Sequence, residues 1–143
     1  MVKVELRDHY DNLETLWATP LGMSRYRLEN SPFFAYSVSW RDVIEAEPIA
    51  NGEIPAFVRV VEKSGNRTIR IIFNPPVNDS QESQAVLDKL VEMGCSYEGA
   101  NPAFIAVNMP PSVNLAAVCE YVTSTGREWE HGDPSYDELY PEG

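Results

Sequence analysis

The chain has 143 residues, 43% of them hydrophobic and 23% charged, which places it among globular proteins and excludes wholesale disorder. Eleven basic against twenty-two acidic side chains give −11, a field that repels phosphate backbones and so disfavours nucleic acid, while it speeds encounter with a basic partner. No apolar run approaches the ~18 residues of a membrane span, and the charged start MVKVELRD does not resemble a signal peptide. With two cysteines, too few for a disulfide framework, the expectation is a cytoplasmic protein with no membrane association.

Residues 1–65 read as strands. Val2, Val4 and Leu6 alternate with Lys3, Glu5 and Arg7, the period of a half-buried strand. Residues 13–18 (LETLWA) predict a second strand, with a turn at residues 20–22, and Tyr26 and Leu28 mark a third. Residues 42–47 (DVIEAE) and 56–61 (AFVRVV), separated by Asn51-Gly52, predict a hairpin, and Ser64-Gly65-Asn66 is expected to close another. Strands this short and closely spaced suit a small bent sheet or SH3-like barrel.

Residues 66–131 change character. A β-branched run at 68–73 (TIRIIF) is followed by a capping box on Asp79 and Glu82. Val86, Leu87, Leu90 and Val91 then recur at helical spacing up to Gly94. A short extended piece at 95–98, a strand at 104–109 (FIAVNM), a helix marked by Leu115, Val118, Cys119 and Val122, and a strand at 127–130 complete the order β-α-β-β-α-β. The predicted class is therefore α+β, a barrel-like half followed by a ferredoxin-like half with two helices on one face of a four-stranded sheet. Residues 132–143 form an acidic tail, read as either a docked extension or a frayed end. Residues 1–65 carry net −3 and residues 66–143 net −8.

LWATPLG (16–22), YRLENSPFFA (26–35), DVIEAEP (42–48), VRVVEKSGNRTIRIIF (58–73) and the later MGCSYEG and VNMPP segments together resemble a bacterial family known as domain of unknown function 4265. The resemblance implies a shared fold and brings no activity, cofactor or catalytic residue. It also implies glycines near Ser37 and Arg41, at a backbone turn before Asp42.

The ring-rich stretch 30–40 (NSPFFAYSVSW) is the leading candidate site. Phe33, Phe34, Tyr36 and Trp40, with Arg41 and Asp42 beside them, either form an outward anchor of the kind found at interface hot spots or plug one end of the barrel. Arg25, Arg27 and Arg41 are placed to orient a carboxylate or stack on the rings. Asp42, Glu45 and Glu47 could supply a raised-pKa acid or base if a pocket held them together; otherwise they are a solvated strand edge. His9, His131, Cys95 and Cys119 share no metal-binding spacing, and phosphate-cradling and nucleophile-elbow motifs are absent, so no cofactor or metal is expected. Three functions are weighed: a non-enzymatic acidic module that binds a basic protein, such as an inhibitor or immunity-type neutraliser; a small-ligand-binding or regulatory domain using the crevice between the halves; and a hydrolase-type enzyme using the clustered carboxylates. The first uses both the charge and the rings.

Overall fold

In the computed structural model, which describes residues 1–8, 10–50 and 52–142, the strands part into two sheets. β1 (Val2–Arg7), β2 (Leu13–Gly22), β3 (Arg25–Leu28), β4 (Val43–Glu47) and β5 (Ala56–Glu62) make a closed barrel. Neighbours along the chain pair antiparallel, and a parallel contact of Glu5 with Ala56 joins β1 to β5. Inward positions alternate as the sequence requires: Val4, Leu6, Leu16, Ala18, Leu28, Ile44 and Ala46 are at most 3% exposed. Two of these seven are alanines, and the remaining space is filled by Ala35 and Val38 from the connector between β3 and β4. His9 and Asn51, the latter half of the expected Asn-Gly turn, lie outside the described residues.

Three local expectations need correction. The strand expected at 13–18 runs on to Gly22, through a register shift between Pro20 and Gly22 that accommodates the proline. The chain reverses afterwards, where Met23 and Ser24 take left-handed φ of 56° and 62°. Ser64-Gly65-Asn66 closes no hairpin, because β6 (Arg67–Ile72) joins the other sheet. Buried Asp42 accepts the Ser64 N–H at 2.8 Å, and the Trp40 carbonyl accepts from Ser64 Oγ and Asn66 Nδ2, so polar anchors turn the chain away from the barrel.

The third concerns the first helix, α1 (Gln81–Glu92). Its cap is Ser80, which accepts the Ser83 N–H, while Asp79 ends a short 3-10 turn. Gly94 ends the helix at φ 103°, where a Cβ would also meet Val113 at 2.9 Å. β7 (Ser96–Asn101), β8 (Phe104–Met109), α2 (Leu115–Ser124), β9 (Glu128–Asp133) and α3 (Tyr136–Leu139) follow. The second sheet has the order β7-β8-β6-β9 and is antiparallel throughout. On one face Ile69, Ile71, Ile105 and Val107 pack with Val86, Leu87, Leu90, Val118 and Val122 of the two longer helices; each such side chain removed from water contributes roughly 1.5–3 kcal/mol. The other face carries Thr68, Arg70 and Asn108, all buried. The molecule is thus a mixed α+β protein, mostly strands, with a closed five-stranded barrel and three short helices.

Candidate functional site: a closed junction and an open acidic cleft

The connector, residues 29–42, lies between the barrel and the polar face of the second sheet. Phe33 and Phe34 face Phe104 of β8, with ring centroids 5.9 and 6.0 Å apart. Their backbone N–H groups, with that of Ala35, donate to the Glu14 carboxylate at 2.7–2.9 Å. The small residues Ala35 and Val38 enter the barrel core, while the large rings lean the other way. Tyr36 donates its hydroxyl to Glu130 Oε2 at 2.6 Å and lies under the guanidinium of Arg70, 4.8 Å from the ring centroid. Burial and the Glu130 carboxylate push the Tyr36 hydroxyl above its ordinary value.

Arg70 is 1% exposed and acts as a hub. Its Nε donates to Glu130 Oε1 at 2.8 Å, and Nη1 donates to the carbonyls of Ala35 and Pro32. Gly132 makes room for it, since a Cβ there would stand 3.2 Å from the guanidinium. Glu98 of β7 accepts from Asn30 Nδ2 and from the Ser31 N–H. A second knot holds the other end of the connector: Lys63 Nζ donates to Asp42 and Asp133 at 2.5 Å each, and Ser39 Oγ donates to Asp133 at 2.6 Å. Burial alone would lower Lys63, but its bonds to Asp133 and Asp42 and their charges outweigh that and raise it above 10.5. Ser37 and Arg41 take left-handed φ of 64° and 72°, at the turn where the family resemblance implies glycines.

The remaining residues named from the sequence are separated by this geometry. Trp40 is half-buried beneath Arg41, whose guanidinium is 5.5 Å from its ring centroid and also pairs with Glu29 at 3.0 Å, as does Arg27. Asp42 is fully buried in the Lys63 knot, Glu45 pairs with Arg59 at 2.8 Å, and Glu47 is exposed. The three carboxylates share no cavity. Cys95 is buried, which pushes its thiol up to about 11, and burial raises Cys119 as well. Among the described residues no cluster of three or more His, Cys, Asp or Glu is placed to hold a metal ion.

An open cavity of about 740 Å³ lies instead along β9 and α3. Tyr10, Tyr36, Trp129 and Tyr136 wall it, with His131, Glu130 and Asp137 among its lining. A second space of about 840 Å³ continues it on the α2 side, bounded by Leu115, Cys119, Leu139 and Tyr140 and sharing Trp129, His131 and Tyr136. Strand alternation sends Glu128 and Glu130 to one face of β9 and Trp129 and His131 to the other. The rings touch: Trp129 and His131 are 4.7 Å apart edge-on, and Tyr136, which opens α3, and Tyr140, which follows it, are 4.9 Å apart. His131 is half-buried among them and burial lowers its pKa below 6.5. α3 is ordered by a capping box between Ser135 and Glu138, and Glu138 also accepts from Ser37 Oγ at 2.5 Å. The bonds from Ser135 and Ser37 hold the Glu138 carboxyl below 4.5. The segment around α3 is therefore docked rather than frayed.

Sequence reading missed this cleft, along with Arg70, Glu14 and Glu98. Its signal was EWEHGDPSYDELYPEG, residues 128–143, in which three rings are set among six carboxylates without a lysine or arginine.

A closed barrel tied by a buried polar junction to a helix-backed antiparallel sheet, with an aromatic and acidic cleft on its edge strand, defines the class of protein. Residues 14–131 match the family described as Domain of unknown function (DUF4265), and the chain belongs to that family. A solved structure described as a novel crystal structure of a hypothetical protein from Neisseria gonorrhoeae is similar in fold, with a TM-score of 0.70 and 17% identity over 94% of this chain and 96% of that one. No curated protein matches. Among the described residues no helix is long and apolar enough to cross a membrane.

Proposed function

We propose that this protein is a non-enzymatic, acidic binding module whose partner is a basic protein, engaged along β9 and α3. One observation carries the reading: a solvent-open cleft walled by tyrosines and a tryptophan runs beside residues 128–142, a segment without lysine or arginine in which Glu128, Asp137 and Glu142 are exposed. Rings provide contact area at small entropic cost, and acidic groups around them steer a cationic surface and fix its register. The carboxylates that a hydrolytic reading needs support a structural role, since Asp42 and Glu45 are tied to Lys63 and Arg59. We read the second half as ferredoxin-like and the first as SH3-like, on their element orders; both are scaffolds that present the cleft.

The test is affinity capture at low and high salt, followed by identification of what is retained. The expected partner is a basic protein that elutes as ionic strength rises and is lost when Glu128 and Asp137 are both changed to lysine. A retained partner indifferent to salt and to this charge reversal, or no partner at all, would overturn the reading.

A further inference from the structure

The geometry points to one arginine side chain of the partner as the group seated in the cleft, its guanidinium stacked against Trp129 and Tyr136 and paired with Asp137. This rests on the basic-partner reading and adds the residue that does the binding.

The protein already accommodates one guanidinium beside this site. Arg70 lies over Tyr36, 4.8 Å from its ring centroid, and its Nε donates to Glu130, so one guanidinium is held by a ring face and a carboxylate together. That pairing uses one Glu130 oxygen, and the Tyr36 hydroxyl uses the other. Asp137, exposed on the rim in the first turn of α3, makes no hydrogen bond or ion pair among the described residues and is the carboxylate left for a second cation. Tyr136 and Tyr10 are 52% and 74% exposed, while Trp129 is half-buried against the core, its indole N–H donating to Thr123 Oγ1 at 3.1 Å, and presents only its remaining surface to the cleft.

A guanidinium fits this setting better than an ammonium does. It is planar, it is weakly hydrated, and it can stack while its edge reaches a carboxylate. A lysine would have to give up a stronger hydration shell at a cleft too open to replace it. An anion is excluded by Glu130 and Asp137, and a neutral aromatic would leave Asp137 unpaired.

The experiment follows the indole N–H resonance of Trp129 in the whole protein, assigned with Trp129→Phe, while N-acetyl-arginine methylamide is added. Its lysine and citrulline counterparts are titrated in parallel. The expected result is a saturable shift with arginine, at least fivefold weaker binding of lysine, and no shift with citrulline. Asp137→Asn should weaken the arginine response at least threefold, with the rest of the spectrum unchanged. Equal responses to arginine and citrulline, or none to arginine, overturn the proposal, and because this comparison uses the unaltered protein it does not depend on any variant folding. Capture of a basic protein with Trp129 unmoved would leave the basic-partner reading standing and remove the arginine seat. An arginine-specific shift without any basic protein partner would do the reverse.

Discussion

Two ring-rich stretches of this chain have similar chemistry and opposite fates. The connector carries Phe33, Phe34, Tyr36 and Trp40 beside Arg41 and Asp42, and its acids and bases are nearly all paired within the molecule. The segment after Arg127 carries Trp129, Tyr136 and Tyr140 among acids, yet it has no base of its own to pair them. Position explains the difference. The connector crosses between two sheets, so its backbone donors are captured by Glu14 and Glu98 and its rings by Phe104. β9 is the outer strand of its sheet and α3 is one turn long, so Tyr136 and Tyr140 remain about half exposed. Aromatic content alone does not mark a binding surface; exposure does, as at Tyr136 and Tyr140, 52% and 53% exposed.

The largest expected effect tests the closed side of this contrast. Lys63→Met leaves the Asp42 and Asp133 carboxylates, 0% and 7% exposed, without their shared cation. Breaking a buried pair costs about 3–5 kcal/mol; because the Lys63 side chain is 45% exposed, water relieves part of this, and a loss of about 2–3 kcal/mol in denaturant melts is expected. The linkage has a definite sign. The folded-state pKa of Lys63 is raised, so its contribution is fully present below the ordinary lysine value of 10.5 and is lost as pH climbs through the folded value. Stability of the native protein should fall on that alkaline limb, and Lys63→Met should flatten it. A melt unchanged by the substitution would mean that the knot is not what holds the connector.

A smaller effect separates the two ring clusters directly. Phe34→Ala removes a half-buried ring packed on Phe104 and should cost about 1–3 kcal/mol, less than a fully buried phenylalanine. Partner capture should persist wherever the variant is folded. Tyr140→Ala, 53% exposed, should cost under about 1 kcal/mol and weaken capture. Reversed outcomes, with binding lost at Phe34 and stability lost at Tyr140, would exchange the roles assigned to the two regions.

The smallest effect is local to the cleft. Burial depresses His131 below its ordinary value of 6.5, so the unfolded chain takes up a proton before the folded one. The neutral imidazole contributes stability that is present above pH 6.5 and lost as pH falls through the folded pKa. The carboxylates with lowered values, Glu29 and Glu138, act below 4.5, so among the described residues His131, with its ordinary value of 6.5, is the next shifted group above them. Replacing His131 with Phe should reduce the slope of stability against pH as the pH falls below 6.5. An unchanged slope would show that the imidazole is hydrated despite its ring neighbours.

Much of this organisation was legible in the residues themselves. Alternation in VKVELR and in VIEAE places Val4, Leu6, Ile44 and Ala46 inside a barrel, and the spacing of Val86, Leu87 and Leu90 turns one face of α1 to the sheet. Such patterns are local, because strand and helix periods follow from backbone geometry within a few residues. The cap is Ser80 rather than Asp79, because residues 77–79 close a 3-10 turn and Ser80 is the extended residue that precedes the helix. What only the tertiary structure decided was pairing between distant polar groups: Arg70 with Glu130 and Tyr36, Lys63 with Asp42 and Asp133, Glu14 with the connector backbone. Nothing in the spacing of such residues specifies a partner seventy positions away, as Lys63 and Asp133 are, because a charge is satisfied by whatever the folded chain brings within about 3 Å of it. Those pairings close the connector, while Tyr136 and Tyr140 at the end of the chain stay about half exposed.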